Sequence, residues 1–107
     1  MKFGLLLLVF GYFSIEAAHA QEKLLMLQGN LSSYYGFASQ PILVRNKTGK
    51  TVGQIGVQCK FLNGTDIIGE GSQNAFDVVA QGVVAVDVVT FTSKPAERAE
   101  CQVWTPE

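Results

Sequence analysis

Two cysteines constrain this chain more than any other residues. Cys59 lies in the run Gln54–Leu62, where Ile55, Val57, Cys59 and Phe61 alternate with Gly56, Gln58 and Lys60. Cys101 lies in Arg98–Trp104, where Ala99, Cys101 and Val103 alternate with Glu100, Gln102 and Trp104. A period of two places both cysteines on the apolar face of a half-buried strand. A bond between them ties positions 42 apart, and in the chain-entropy account such a loop stabilises a fold by about 4 kcal/mol. A domain of this size buries only about 60 to 65% of its unfolded surface, so a crosslink of that strength is a large share of its stability. Thiol redox catalysis is not expected, because the two cysteines do not form the Cys-x-x-Cys spacing that lowers a thiol pKa.

The remaining pattern is also that of strands. Asn63-Gly64 is a pair that tolerates the positive backbone angles of a tight turn, which predicts a hairpin returning through Thr65–Gly69 with Ile67-Ile68. Val83 to Thr92 is rich in β-branched residues, with Val84, Val86 and Val88 on one face and Asp87 on the other. Ser93 to Glu97, containing Pro95, reads as a turn. Lys23 to Gln28 and Pro41 to Arg45 are further strand candidates, with the polar turn Asn46–Lys50 after them. No window of a dozen residues carries a helical stripe. The expected architecture is all-β, a small antiparallel sandwich of five to seven strands with one disulfide, in a single domain.

The first twenty residues read as an export signal: Lys2 is the charged start, Phe3–Ile15 the apolar run, and Ala18-His19-Ala20 the small-x-small cleavage site. The domain then occupies residues 21–107. The apolar run falls short of the roughly 20 residues that span a bilayer, and Val78–Phe91 is interrupted by Gln81, Gly82 and Asp87, so no membrane span is expected after cleavage. A soluble periplasmic or secreted protein is the implied product, in the oxidising setting where disulfides persist. Cleavage also removes His19, the one histidine of the chain. Without imidazole, Ser-His-Asp and Cys-His mechanisms and the commonest zinc sites are not available. No cofactor motif, no metal site and no catalytic residue is assigned. A net charge of −1 argues against nucleic acid, whose backbone is bound by a basic surface.

The charges are unevenly spread. From Gln21 to Thr65 only Glu22 opposes Lys23, Arg45, Lys47, Lys50 and Lys60, whereas from Asp66 onward Lys94 and Arg98 face a majority of acidic groups. The two halves neutralise each other on packing, or they present an ionic surface. The candidate partner contacts are aromatic. Tyr34, Tyr35 and Phe37 stand among Ser32, Ser33, Gly36 and Ser39 in the segment Leu31–Pro41, and Trp104 lies on the face opposite Cys101. These rings form either a contact surface for a protein or ligand, or a lid over the end of the core. The acidic residues show no spacing that singles out a glycosidase pair, and Asn63, Thr65 and Asp66 are too few for calcium. Asn30-Leu31-Ser32, Asn46-Lys47-Thr48 and Asn63-Gly64-Thr65 fit the glycosylation acceptor pattern.

The stretch Leu43–Val103 resembles the FxLYD-type exported domains of bacteria and archaea. The likeness rests on Val44–Lys50 with its Asn-x-Ser/Thr turn, on Val57–Gly64 as the hydrophobic strand and hairpin, and on Ile67-Ile68-Gly69 as the return. Gln81-Gly82 stands where that family has Pro-Gly, and Leu62-Asn63 replaces its aromatic-acidic pair. The resemblance implies an immunoglobulin-like topology, no catalytic residues, and a binding or accessory role. The expected function is therefore a non-catalytic exported module making protein-protein contacts. The alternative is a small secreted ligand-binding or inhibitor protein that uses the aromatic loop 31–41.

Overall fold

A computed structural model describes residues 23–106. The expected leader and its cleavage point lie outside the described residues. Seven strands follow one another: β1 (Leu24–Gln28), β2 (Ser32–Tyr34), β3 (Phe37–Asn46), β4 (Val52–Asn63), β5 (Asp66–Val78), β6 (Val83–Phe91) and β7 (Arg98–Trp104). They form two antiparallel sheets. In the first, β3 is central, with β1 and β2 along one side and β6 along the other; in the second, β4 is flanked by β5 and β7. This is a β-sandwich in which the order β1/β2–β3–β6 against β5–β4–β7 follows immunoglobulin connectivity.

The core forms where the inward phases of the strands meet. Ile42 and Val44 from β3 and Val88 from β6 pack with Ile55, Val57, Cys59 and Phe61 from β4, all nearly or fully buried. On one side the sheets close tightly. A Cβ at Gly69 would meet the Phe91 carbonyl oxygen at 2.8 Å, and one at Gly71 would meet Val88 Cγ1 at 3.1 Å. Glycine at these positions lets the β5 backbone lie against β6, and Thr90 Oγ1 donates to the Glu70 carbonyl at 2.8 Å across the seam.

Cys59 and Cys101 are joined, with an S–S distance of 2.02 Å. They are direct register partners on β4 and β7, so the bond crosslinks neighbouring strands of one sheet. It does not tie sheet to sheet as the disulfide of antibody domains does.

The hairpin differs from expectation in its centre and its length. Asn63 pairs with Asp66, leaving Gly64 and Thr65 as the turn, with the positive angle at Gly64 (φ 62°). The returning strand runs on to Val78, well past Gly69. Its alternation fades because β5 is an edge strand: Ala75 and Val78 reach the core, while residues such as Gln73 remain exposed. The segment 31–41, read as an aromatic loop, is largely strand: β2 and β3 form a hairpin around Tyr35-Gly36, where Gly36 takes φ 80°. The ion pairs of the described residues, Lys94–Asp66 and Arg98–Glu100, both lie within the acidic half. The two halves of the chain are therefore joined by packing and not by these salt bridges.

Asn46 holds the end of the sandwich and is fully buried. Its Nδ2 donates to the carbonyls of Lys50 (2.7 Å) and Val78 (2.9 Å), while Oδ1 accepts from Thr48 N (2.9 Å) and Thr48 Oγ1 (2.7 Å). An amide so occupied is a structural staple between the β3–β4 turn and the end of β5. Of the three acceptor-pattern asparagines, this one is closed to modification in the folded state. Asn63 also spends its amide, donating to the Pro95 carbonyl at 2.9 Å, whereas Asn30 is exposed on its loop.

Candidate partner-binding face

The outward face of the first sheet is assembled from the odd-numbered residues of β1, β3 and β6 and from Ser32 and Tyr34 of β2. Register puts Leu25 beside Arg45, Leu27 beside Leu43, and Tyr34 beside Phe37 on one side of β3. On the other side, Val83, Ala85, Asp87, Val89 and Phe91 stand beside Arg45, Leu43, Pro41, Ser39 and Phe37. Antiparallel sheets ordinarily turn a polar face to water. Here that face is apolar along most of its length: Leu27 is 57% exposed, Val83 51% and Phe91 87%. Arg45 and Asp87 are its charges, and among the described residues neither has an ion-pair partner.

A local defect shapes the middle of this face. Between the pairs Gln28–Ile42 and Ser32–Ser39, the three residues Gly29, Asn30 and Leu31 oppose two, Gln40 and Pro41. β1 and β2 are thus one strand interrupted by a bulge. Gly29 N donates to the Pro41 carbonyl at 2.9 Å, but proline has no N–H to return the bond. The side-chain amide of buried Gln40 supplies it, with Nε2 donating to the Gly29 carbonyl at 2.8 Å. The cost of proline within a sheet is met by one glutamine placed next to it. The bulge leaves a shallow hollow in the outward face, lined by Leu27, Gly29, Pro41, Leu43, Ala85 and Asp87.

At the far end of the face lie the aromatic candidates. Tyr34 and Phe37 are in contact with ring centroids 5.3 Å apart, and Phe37 has Phe91 as its cross-strand neighbour. Tyr35, at the hairpin tip, is fully exposed. An open hollow separates this tip from the segment Thr92–Pro95 and has Lys94 on its rim. Trp104 is not part of the group. It stands on the outward face of the second sheet, 41% exposed, as the register partner of Gly56. A Cβ on Gly56 would fall inside the indole, so the ring lies flat across the glycine and covers the backbone there.

The middle of the second sheet's outward face is polar, and apolar groups stand toward its ends: Phe76 beside Gln54, 64% exposed, and Ile67 beside Leu62, 53% exposed. Gln58 is flanked by Ser72 and Gln102, and Lys60 by Glu70 and Glu100. Among the described residues, no group of three or more His, Cys, Asp or Glu side chains could hold a metal ion.

The structure therefore brings Tyr34, Tyr35 and Phe37 together at one end of a much longer apolar face and leaves Trp104 on the opposite side of the molecule. Sequence reasoning missed Leu25, Leu27, Leu43, Val83, Val89 and Phe91. A signal was present: Ile42-Leu43-Val44, Val83–Val86 and Val88-Val89 are unbroken apolar runs, the mark of strands apolar on both faces. The chain matches no family model, no curated protein and no solved structure with which it was compared.

Proposed function

We propose that this chain is an exported, non-catalytic β-sandwich module of the periplasm or extracellular space, acting through protein-protein contacts made by the outward face of its first sheet. The observation that carries the reading is the asymmetry between the sheets. One outward face is polar through its middle, with Phe76, Ile67 and Trp104 set apart toward its ends; the other exposes a continuous row of leucine and valine side chains of the kind that marks interaction sites. The disulfide is consistent with an oxidising environment.

The test compares two double variants of the exported protein. Leu27→Lys with Val83→Lys places charge on the apolar face; Gln58→Lys with Gln102→Lys does the same on the polar one. Complexes isolated from the protein's own compartment should be lost with the first and kept with the second. Retention of wild-type complexes by the first variant refutes the reading.

The open hollow beside Tyr34 and Tyr35 favours a second reading, a small secreted protein binding a ligand at the β2–β3 tip. Tyr35→Ala would then abolish ligand binding with no loss of stability.

A further inference from the structure

We infer that the partner seated on the outward face of the first sheet is a second copy of this chain, packed face to face about a two-fold axis. The inference rests on the proposed role of that face as a contact surface and names its occupant.

The argument begins with charge. Arg45 and Asp87 are the two charged groups that the strands place on this face, they are opposite in sign, and among the described residues both lack an ion-pair partner. Asp87 is the register neighbour of Pro41, so the two charges are separated by four residues along the sheet and one strand across it. At about 3.4 Å per residue and 4.8 Å per strand, that is about 14 Å, too far for a bond within one copy. A surface with one cation and one anion at a fixed spacing is complementary to itself, because a two-fold operation places each opposite the other's counterpart. A foreign partner has no reason to match that spacing; a second copy matches it by symmetry.

The axis that makes this match falls in a suitable place. It bisects the Arg45–Asp87 line and passes between Leu43 and Ala85, the uncharged middle of the face beside the bulge hollow. The strands of the two copies then run antiparallel with a crossing of roughly 40°, close to the about 30° of aligned stacked sheets. Lys23, Arg45 and Lys47 gather at one end of the sheet, and the same operation carries the two basic ends apart, over the uncharged rows around Ser39 and Val89 of the other copy. Leu27, Leu43 and Ala85 meet their equivalents at the centre.

Area sets the strength. Overlap about this axis spans the rows from Gln40 to Asn46, an outline of about 24 by 14 Å, and the side chains standing above it bring the area buried by two copies to roughly 1,000 Å². That is the lower end for specific association, so the dimer is reversible, with a dissociation constant on the order of 10 to 100 μM. The aromatic end, with Tyr34, Tyr35 and Phe37, stays uncovered.

Charge reversal gives the test. Analytical ultracentrifugation of the purified exported protein should show a monomer–dimer equilibrium. Arg45→Asp and Asp87→Arg, each of which opposes like charges twice per dimer, should each weaken it about tenfold. The double variant should return to within about threefold of wild type. Thermal midpoints control for folding, and for such exposed sites they should move little. A wild-type protein that stays monomeric up to about 1 mM overturns the inference, and so does a double variant no better than the single ones. Photocrosslinking in cells with p-benzoylphenylalanine at position 43 separates this failure from that of the broader reading. A product of twice the monomer mass supports the second copy. Products with other proteins alone refute it while leaving the contact surface standing, and no product at all defeats both.

Discussion

The two sheets of this sandwich enclose a shared core, yet they solve opposite problems. The β5–β4–β7 sheet alternates along the middle of β4 and along β7, apolar inward and mainly polar outward, and carries the disulfide between β4 and β7. It is finished as a surface. The β1/β2–β3–β6 sheet has no crosslink, is apolar on both faces, and is bent by a bulge that a buried glutamine repairs. The difference teaches that the crosslink and the long exposed apolar surface are divided between the layers. One sheet is locked and solvated, so the other can leave leucines and valines in water without losing the fold.

The largest effect should come from unlocking the polar sheet. Replacing Cys59 and Cys101 together by Ala should cost about 4 kcal/mol in urea unfolding. The same protein measured with and without reductant should bracket that value. A loss below about 1 kcal/mol would mean the polar sheet does not depend on its crosslink.

Next come adjacent residues of β3 that face opposite ways. Ile42→Ala, on the buried side, should cost about 2 to 5 kcal/mol, whereas Leu43→Ala, half-exposed on the outward side, should cost roughly 0.5 kcal/mol or less. Equal losses by thermal unfolding would show that the outward face is part of the stabilising core after all, and the contrast between the layers would collapse.

Asn46→Ala, which strands the Lys50 and Val78 carbonyls at the end shared by both sheets, should cost about 2 to 3 kcal/mol. Hydrogen exchange should then rise in the 46–52 turn and at the end of β5 before it rises in β4.

Smaller still, Gly56→Ala on the polar sheet should displace the indole from its resting place, which red-shifts Trp104 fluorescence at a cost of about 1 to 2 kcal/mol. An unchanged emission spectrum would place the ring elsewhere.

Much of the polar sheet was legible in the sequence because one face of it meets water and the other meets the core, which writes the period of two directly into β4 and β7. The pairing of Cys59 with Cys101 followed from the same phase. β5 was legible only in its first residues; beyond Gly69 it is an edge strand whose side chains are mostly solvated, so nothing enforces alternation. The first sheet was harder to read. With apolar residues in both phases of β3 and β6, period two no longer distinguishes inside from outside, and the aromatic cluster around Tyr34 drew attention to one end of a face that runs the length of the sheet. Trp104 looked equivalent to those rings, yet its register with Gly56 assigns it to covering backbone.

By itself the sequence determined that this chain is a sheet-only fold with paired cysteines, because burial on one side of a strand imposes a repeat that can be counted. Tertiary structure decided the rest: which strands became neighbours, that the disulfide lies within one sheet, that Asn46 is a buried staple, and that Arg45 and Asp87 share a mostly apolar outward face. Those facts depend on register between segments far apart in the chain, and register is set by the mutual packing of both sheets, which no single segment encodes.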